Sequence, residues 1–232
     1  MLFLIPAYLS EYTPKDFFAP IISEYISNTN YFLVENEKTA RKIIRYFCPD
    51  KKQSELQLFL LDKNSTNADW QEAQKLLKDG QDLGLLSEAG LPCIADPGNI
   101  VVRWCHDFGI NVIPVNGPSS IILGLISSGF NGQQFTFHGY LPIERSERKR
   151  KILDLEKTAV QTGFTQIFME TPYRNMAMIE DLCSTLPGNA SLCIAANINN
   201  PDREFIKTKK ISDWKRSIPE LHKMPAIFLI GK

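Results

Sequence analysis

The sequence predicts an α/β protein with two α/β domains, residues 1–115 with a mostly parallel sheet and residues 116–232 with a mixed one. Three observations carry this expectation. Short apolar runs alternate with segments of helical period through the first half. Tight segments rich in small residues leave the ends of those runs. The late apolar runs have no long helices between them, which predicts antiparallel pairing at a sheet edge.

The elements follow in order. Leu2–Ile5 is a first strand, left by the loop Pro6-Ala-Tyr-Leu-Ser10. Lys15–Ser27 has Phe17, Phe18, Ile21, Ile22 and Tyr25 on one helical face, and Pro20 kinks that helix or delays its start. Tyr31–Val34 is a strand. Asn36 then caps a helix whose Ala40, Ile43, Ile44 and Phe47 repeat at i, i+3, i+4, i+7. Leu56–Leu61 is a strand, Asp69–Lys78 a helix stopped at Gly80.

Residues 82–120 organise the rest. Asp82–Ser87 is a buried strand, and Glu88-Ala-Gly-Leu-Pro92 a tight loop. Asp96 suits an N-cap with Pro97 at the first helical position. Ile100, Val101, Trp104, Cys105 and Phe108 share one helical face, closed by Gly109. Asn111–Val115 is the next strand and Asn116-Gly-Pro-Ser-Ser120 the next small-residue loop. Two such loops at the carboxyl ends of neighbouring parallel strands mark the edge where ligands bind.

In the second half a helix runs from Pro118 to about Ser128, apolar nearly all round and so expected to be buried. Phe135–Gly139 is a strand and Ile143–Thr158 a charged helix. Phe164–Met169 is a strand, and Thr171 and Pro172 cap a helix to Leu186. Leu192–Ala196, Arg203–Lys207 and Ala226–Ile230 complete the strands.

Composition narrows the function classes. Lys plus Arg and Asp plus Glu are each 26, so the net charge is zero, against a protein that holds nucleic acid by bulk charge. A local patch is still open, and Arg145, Arg148, Lys149, Arg150 and Lys151 form one, read either as a solvated helix face or as a phosphate-contacting patch. The five cysteines are scattered, with no paired spacing, so neither a disulfide framework nor a zinc site is expected and a reducing cytoplasm fits. No metal is expected. Met1–Pro6 reads as a strand rather than a leader, and no run nears the roughly 18 apolar residues that span a bilayer.

Ser87-Glu88-Ala-Gly-Leu91-Pro92, Asp96-Pro-Gly98, Gly117-Pro-Ser119, Gly139-Tyr-Leu-Pro142 and Glu170-Thr-Pro-Tyr-Arg174 stand in the order and spacing of a known series. Together they resemble the tetrapyrrole methylase superfamily of S-adenosylmethionine-dependent methyltransferases, and within it the enzymes that methylate a cytidine ribose 2'-oxygen in small-subunit ribosomal RNA. Departures are local. The loop Pro6–Ser10 has no glycine. Glu35-Asn-Glu-Lys38 stands where the family carries E-D-T-R, and Ala196-Asn-Ile-Asn-Asn200 where it carries R-E-L-T-K.

The resemblance implies two α/β domains with the cofactor cleft between them, S-adenosylmethionine as cofactor, and a homodimer. It implies cofactor contacts at Pro6, Glu88, Ala89, Gly90, Leu91, Ile94, Ser119, Ser120, Met169, Ala196 and Asn197, and substrate contacts at Tyr140, Arg145, Arg148 and Arg174. In-line methyl transfer from a sulfonium is largely positioning, helped by a general base for the hydroxyl proton. Glu35, Glu88 and Glu170 are the candidate bases. Glu170 and Arg174 also read as an i,i+4 ion pair, and His138 as a core histidine or a base. The function expected is methylation of a ribosomal RNA ribose. Methylation of a tetrapyrrole or other small molecule, or cofactor binding with catalysis lost, are the other readings.

Overall fold

Short apolar strands alternate with helices through the first half because each strand needs a helical crossover to run parallel to its neighbour, and the central ones are buried on both faces. The computed structural model describes residues 1–10 and 12–232, and divides them into two units, Met1–Ser119 and Ser120–Lys232.

In unit 1 the strands are β1 (Leu2–Ile5), β2 (Tyr31–Val34), β3 (Gln57–Leu60), β4 (Leu83–Leu86) and β5 (Val112–Pro114), and the helices α1 (Ile21–Asn28), α2 (Glu37–Phe47), α3 (Gln71–Lys78) and α4 (Asn99–Asp107). The sheet order is β3-β2-β4-β1-β5, with every pairing parallel. The chain goes out from β1 to β2 and β3, returns to lay β4 between β2 and β1, then crosses to β5. The strand order reverses at the centre, so the loops after β1, β2 and β4 gather at the carboxyl edge, where open α/β sheets take ligands.

One core lies under α1 and α2, with Phe3, Ile22, Phe32, Ile43 and Ile44 buried and the Phe3 and Tyr25 rings stacked at 4.2 Å. The other lies under α3 and α4, with Trp70 edge-on to Trp104 at 5.1 Å. Each such side chain contributes about 1.5–3 kcal/mol by leaving water. Pro20 delays α1 as expected: Lys15–Phe17 forms a separate 3-10 turn and the α-helix begins at Ile21. Asn36 caps α2, its Oδ1 accepting from the Thr39 N–H at 3.0 Å.

Two expectations fail here. Asp96 does not cap α4, which starts at Asn99; its carboxylate turns back on its own loop. Phe108 leaves the buried face of α4 because it falls past the last turn, and 53% of it is exposed beneath the Lys78 ammonium.

Unit 2 holds β6 (Phe135–Tyr140), β7 (Thr165–Glu170), β8 (Ser191–Ala196), β9 (Phe205–Lys210) and β10 (Ala226–Gly231), with α5 (Ser120–Ser128), α6 (Arg145–Thr162), α7 (Asn175–Thr185) and α8 (Ile211–Arg216). The order is β6-β7-β10-β8-β9; β6 and β7 are parallel, and the other three pairings antiparallel. Thus the mixed sheet and the antiparallel late strands agree with the sequence.

Three details differ. Helix α7 begins at Asn175, four residues after Thr171, because residues 172–174 form a turn first. Helix α8 was not anticipated; at six residues it carries too little period, and burial of Ile211 and Trp214 holds it. Helix α5 is not buried all round. Gly124 and Leu125 face the sheet, while Ile122 and Ile126 are 45% and 71% exposed. No helix among the described residues is long and apolar enough to cross a membrane.

Candidate functional site

In unit 1 the loops after β1 and β4 are tied together by backbone alone. Ala7 donates to the Gly90 carbonyl at 2.8 Å and Gly90 to the Ala7 carbonyl at 3.2 Å. Gly90 sits at φ +71, and a side chain there would press on the Leu9 side chain and the Pro118 carbonyl. The Ser87 hydroxyl donates toward the carbonyls of Ala89 and Gly90, both at 3.3 Å. The loop after β5 closes on the same edge: Gly117 lies so near the Pro6 ring that a Cβ would fall within it.

The segment 93–98 is strained and pinned. Cys93 and Ala95 adopt φ of 69° and 63°, a region that L-residues other than Asn and Asp rarely enter. Asp96 stabilises them by accepting from the Cys93 N–H at 2.9 Å and the Gly98 N–H at 2.8 Å.

Carboxylates converge on this edge. Glu35 follows β2, and its Oε1 accepts weakly from the Glu88 N–H at 3.4 Å. The Thr39 hydroxyl lies 3.5 Å from Glu88 Oε1. Burial pushes the Glu35 carboxyl up to about 7, assisted by the negative charges of Asp96 and Glu88 and opposed by the Glu88 N–H. Burial also raises Asp96, against the N–H groups of Gly98 and Cys93. A carboxylate that titrates near neutrality can take a proton from a hydroxyl.

So the structure gathers Pro6, Glu35, Glu88, Ala89 and Gly90 on one sheet edge, with Leu91 and the exposed Ile94 following in the same loop. Ser119, nearly buried, ends the unit. Sequence reasoning gave Asp96 only a capping role; its signal was the Asp-Pro-Gly triplet, which fits a cap equally well. It also passed over Thr39.

Unit 2 has its own grouping. Ala226 of β10 pairs with Glu170 on one side and Ala196 on the other, so the ends of β7 and β8 lie level. Tyr140 pairs with Met169 beyond a register shift at the end of β6, and is 52% exposed. Glu170 Oε1 accepts from Arg174 Nη2 at 2.5 Å and from the Thr171 N–H at 2.6 Å, which makes the pair a buried-carboxylate clamp at the head of α7. The Asn197 N–H donates to the Pro225 carbonyl at 2.9 Å. The rest of 197–204 is a turn closed by asparagines, with Asn200 Oδ1 accepting from the N–H groups of Asp202 and Arg203, each at 3.1 Å. Ser120 opens α5.

The basic patch is not a free cationic surface. Arg145 Nε and Arg148 Nη2 meet opposite oxygens of Asp181 at 2.8 and 2.6 Å, and Lys149 Nζ lies 3.7 Å from it. Arg148 is buried and also donates to the carbonyls of Pro142 and Ile143. Its charge is spent inside the unit, because a buried Asp181 needs it. Arg145, 63% exposed, holds the other oxygen. His138 bonds Gln166 at 2.8 Å and burial lowers its pKa, in keeping with a core histidine.

No family model matches the chain. Solved structures do share its fold. It matches the methyltransferase CobJ at a TM-score of 0.64 and 13% identity, covering all of this chain and 93% of that one. It matches uroporphyrin-III-C-methyltransferase from Thermus thermophilus at 0.56 and 15%, covering all of this chain and 91% of that one. The fold is that of the tetrapyrrole methylases. Within that fold the chain is a relative of proteins named ribosomal RNA small subunit methyltransferase I. The one from Vibrio cholerae is 30% identical over 185 residues, 80% of this chain and 59% of its own length. That from Thermotoga maritima is 29% identical over 211 residues, 86% of this chain and 92% of its length. That from Micromonospora olivasterospora is 34% identical over 132 residues, 57% of this chain and 41% of its length. The chain thus spans about half the length of the Vibrio and Micromonospora proteins, and nearly all of the Thermotoga protein.

Proposed function

We propose that the chain is an S-adenosylmethionine-dependent methyltransferase acting on a ribose 2'-oxygen of small-subunit ribosomal RNA. The observation that carries this is a carboxylate poised near neutrality, Glu35, on the sheet edge where the loops after β1 and β4 are tied together. The names of its relatives supply the substrate class.

The residues suit the cofactor. Ala89 and Gly90 present a loop without bulk, and a Cβ at Gly90 would crowd the space between Leu9 and Pro118. Pro6, Glu88, Leu91, Ile94 and Ser119 are proposed to complete the contacts of this unit. S-adenosylmethionine supplies a methyl group already activated on a sulfonium. The chain's own task is to hold the hydroxyl in line and to receive its proton. Glu35 receives it; Glu88 and Asp96, whose charges favour the protonated form of Glu35, make it the better acceptor. Glu170 is bound up with Arg174 and serves position rather than proton transfer. Tyr140 and the exposed Arg145 are proposed to meet substrate.

We place the protein in the cytoplasm as a homodimer. Ile122 and Ile126, one turn apart on the outer face of α5, support association. Light scattering giving the 26.4 kDa of one chain would refute it.

The enzymatic reading is tested by calorimetry with S-adenosylmethionine and by labelling small ribosomal subunits from a methyltransferase-null strain with radioactive donor. Saturable binding and label in the RNA are expected. No binding at millimolar cofactor overturns the whole reading. Binding without label in RNA, but with label in small-molecule extracts, overturns the substrate; binding with no label anywhere leaves a cofactor-binding protein.

A further inference from the structure

Helix α2 carries a stripe of cations that the chain's neutral total conceals. Lys38, Arg41, Lys42 and Arg45 fall at i, i+3, i+4 and i+7 and so share one helical face. The eight residues from Lys38 to Arg45 contain no carboxylate; Glu37 stands at the end of the stripe. These four side chains, with Glu37, Tyr8 and Tyr46, line an open groove of about 620 Å³ on unit 1.

Two of these cations are left unpaired among the described residues. Lys38 and Arg45 are exposed and have no ion-pair or side-chain hydrogen-bond partner among the described residues. Arg41 is fixed by donating to the Gln53 carbonyl at 2.8 Å, and lies 3.8 Å from Glu37. Its position is set, and its charge is only partly offset.

The walls say what kind of contact this is. The Tyr46 hydroxyl donates to the Thr13 carbonyl at 2.6 Å, and the Lys15 ammonium lies 5.3 Å from its ring centre. The ring is committed to the fold and offers no stacking platform for a base. What remains is a row of positive charge along roughly 10 Å of helix axis, a length that meets two or three successive phosphates of one strand. Contacts of this kind position a nucleic acid and read no sequence. The stripe starts where α2 leaves the Glu35 loop, at the residue before the Thr39 whose hydroxyl lies 3.5 Å from Glu88 Oε1.

We propose that the α2 groove holds the sugar–phosphate backbone of the RNA substrate, feeding the strand toward the carboxylate edge of the same unit. This rests on the RNA reading above and adds the surface that grips the substrate. The patch 145–151 cannot fill that role with Arg148, which is buried against Asp181.

The test is binding of a small-subunit ribosomal RNA fragment to the full chain across a salt series, for wild type, K38Q/R45Q, and R103Q/R216Q as a control of equal charge change. Arg103 and Arg216 are each 81% exposed and lie off the groove. K38Q/R45Q is expected to weaken binding about tenfold or more and, by losing two phosphate contacts, to flatten the log–log salt slope by about 1.4. The control keeps the slope. Both variants are expected to keep wild-type melting and S-adenosylmethionine affinity. The loss is expected to be uniform across RNA sequences.

Equal affinity and slope for wild type and K38Q/R45Q overturn the groove, as does an equal loss in the control, which would mean bulk charge. Should K38Q/R45Q melt early, the single variants K38Q and R45Q are read instead, each expected to take about half the slope change. Wild-type binding of RNA without methyl transfer overturns the enzymatic reading and leaves the groove. Methyl transfer with full activity and affinity in K38Q/R45Q does the reverse. Failure of wild type to bind RNA at all removes both.

Discussion

Arg148 sets its Nε and its Nη2 on the same oxygen of Asp181, at 2.9 and 2.6 Å, with both side chains buried. Burial alone would raise the Asp181 carboxyl; the hydrogen bonds of Arg145 and Arg148 overcome it and hold the group below the usual range. Asp181→Ala strands a buried guanidinium and is expected to cost about 3–5 kcal/mol in urea unfolding, while the apolar pair R148M/D181L recovers most of it. Because the folded carboxyl is lowered, its contribution is present above the ordinary carboxylate range and lost as pH falls through the lowered value. An unchanged urea midpoint in Asp181→Ala would deny the pair its structural role.

Glu35 titrates in the opposite sense. Its folded value, about 7, lies above the ordinary 4.5, so its contribution is full below about pH 4.5 and lost as pH rises through 7. Glu35→Gln is expected to match wild type at pH 4 and to be more stable at pH 8, by on the order of 1 kcal/mol because solvent screens a partly exposed group. If Glu35 accepts the hydroxyl proton, methyl transfer rises through about pH 7, and Glu35→Gln lowers it roughly 10²–10⁴-fold. A flat pH–rate profile would assign the proton elsewhere.

Gly117→Ala drives a methyl into the Pro6 ring. Overpacking of this kind costs about 1–3 kcal/mol, and by displacing Pro6 it should also weaken cofactor binding. Gly132→Ala has open space and is expected to be neutral or slightly stabilising. Equal melting temperatures for the two variants would show that the Pro6 loop yields at no cost.

Asn36→Ala removes the acceptor for the Thr39 N–H and is expected to cost about 1 kcal/mol; Asn36→Asp keeps it. Chemical denaturation of the three proteins decides this.

What sequence reasoning reached was set by distance along the chain. The Asn36 cap is a contact three residues long, and Pro20 acts on its own helix, so both could be read directly. Strands such as β4 announce themselves because burial on both faces makes them continuously apolar. By contrast, Arg145 bonds a carboxylate 36 residues away, and a run of basic residues on a helix carries no trace of it. Trp214 is fixed by donating to the Leu192 carbonyl, 22 residues back, so α8 owes its existence to packing rather than period. In the site, strand ends located Glu35 and Glu88. The environment of Glu35 depends on Asp96, whose place is set by positive-φ turns at Cys93 and Ala95 that no propensity favours. The cations of α2 stand at helical spacing in the sequence, but that spacing alone does not distinguish a solvated face from a groove wall.

The placement of β4 has a consequence in time. β1 and β2 share no ladder; β4 fits between them and is the strand that joins them. A nascent chain that has not yet delivered residues 83–86 can therefore pair only β2 with β3; a gap stands between β2 and a still unpaired β1, and the N–H and C=O groups facing it have no partners. No foreign strand has to be imported to fill it, but any that arrived first would fit the same ladder. The first unit is thus most open to mispairing in the interval between synthesis of β2 and synthesis of β4, when a second growing chain could lend its own strand to the gap.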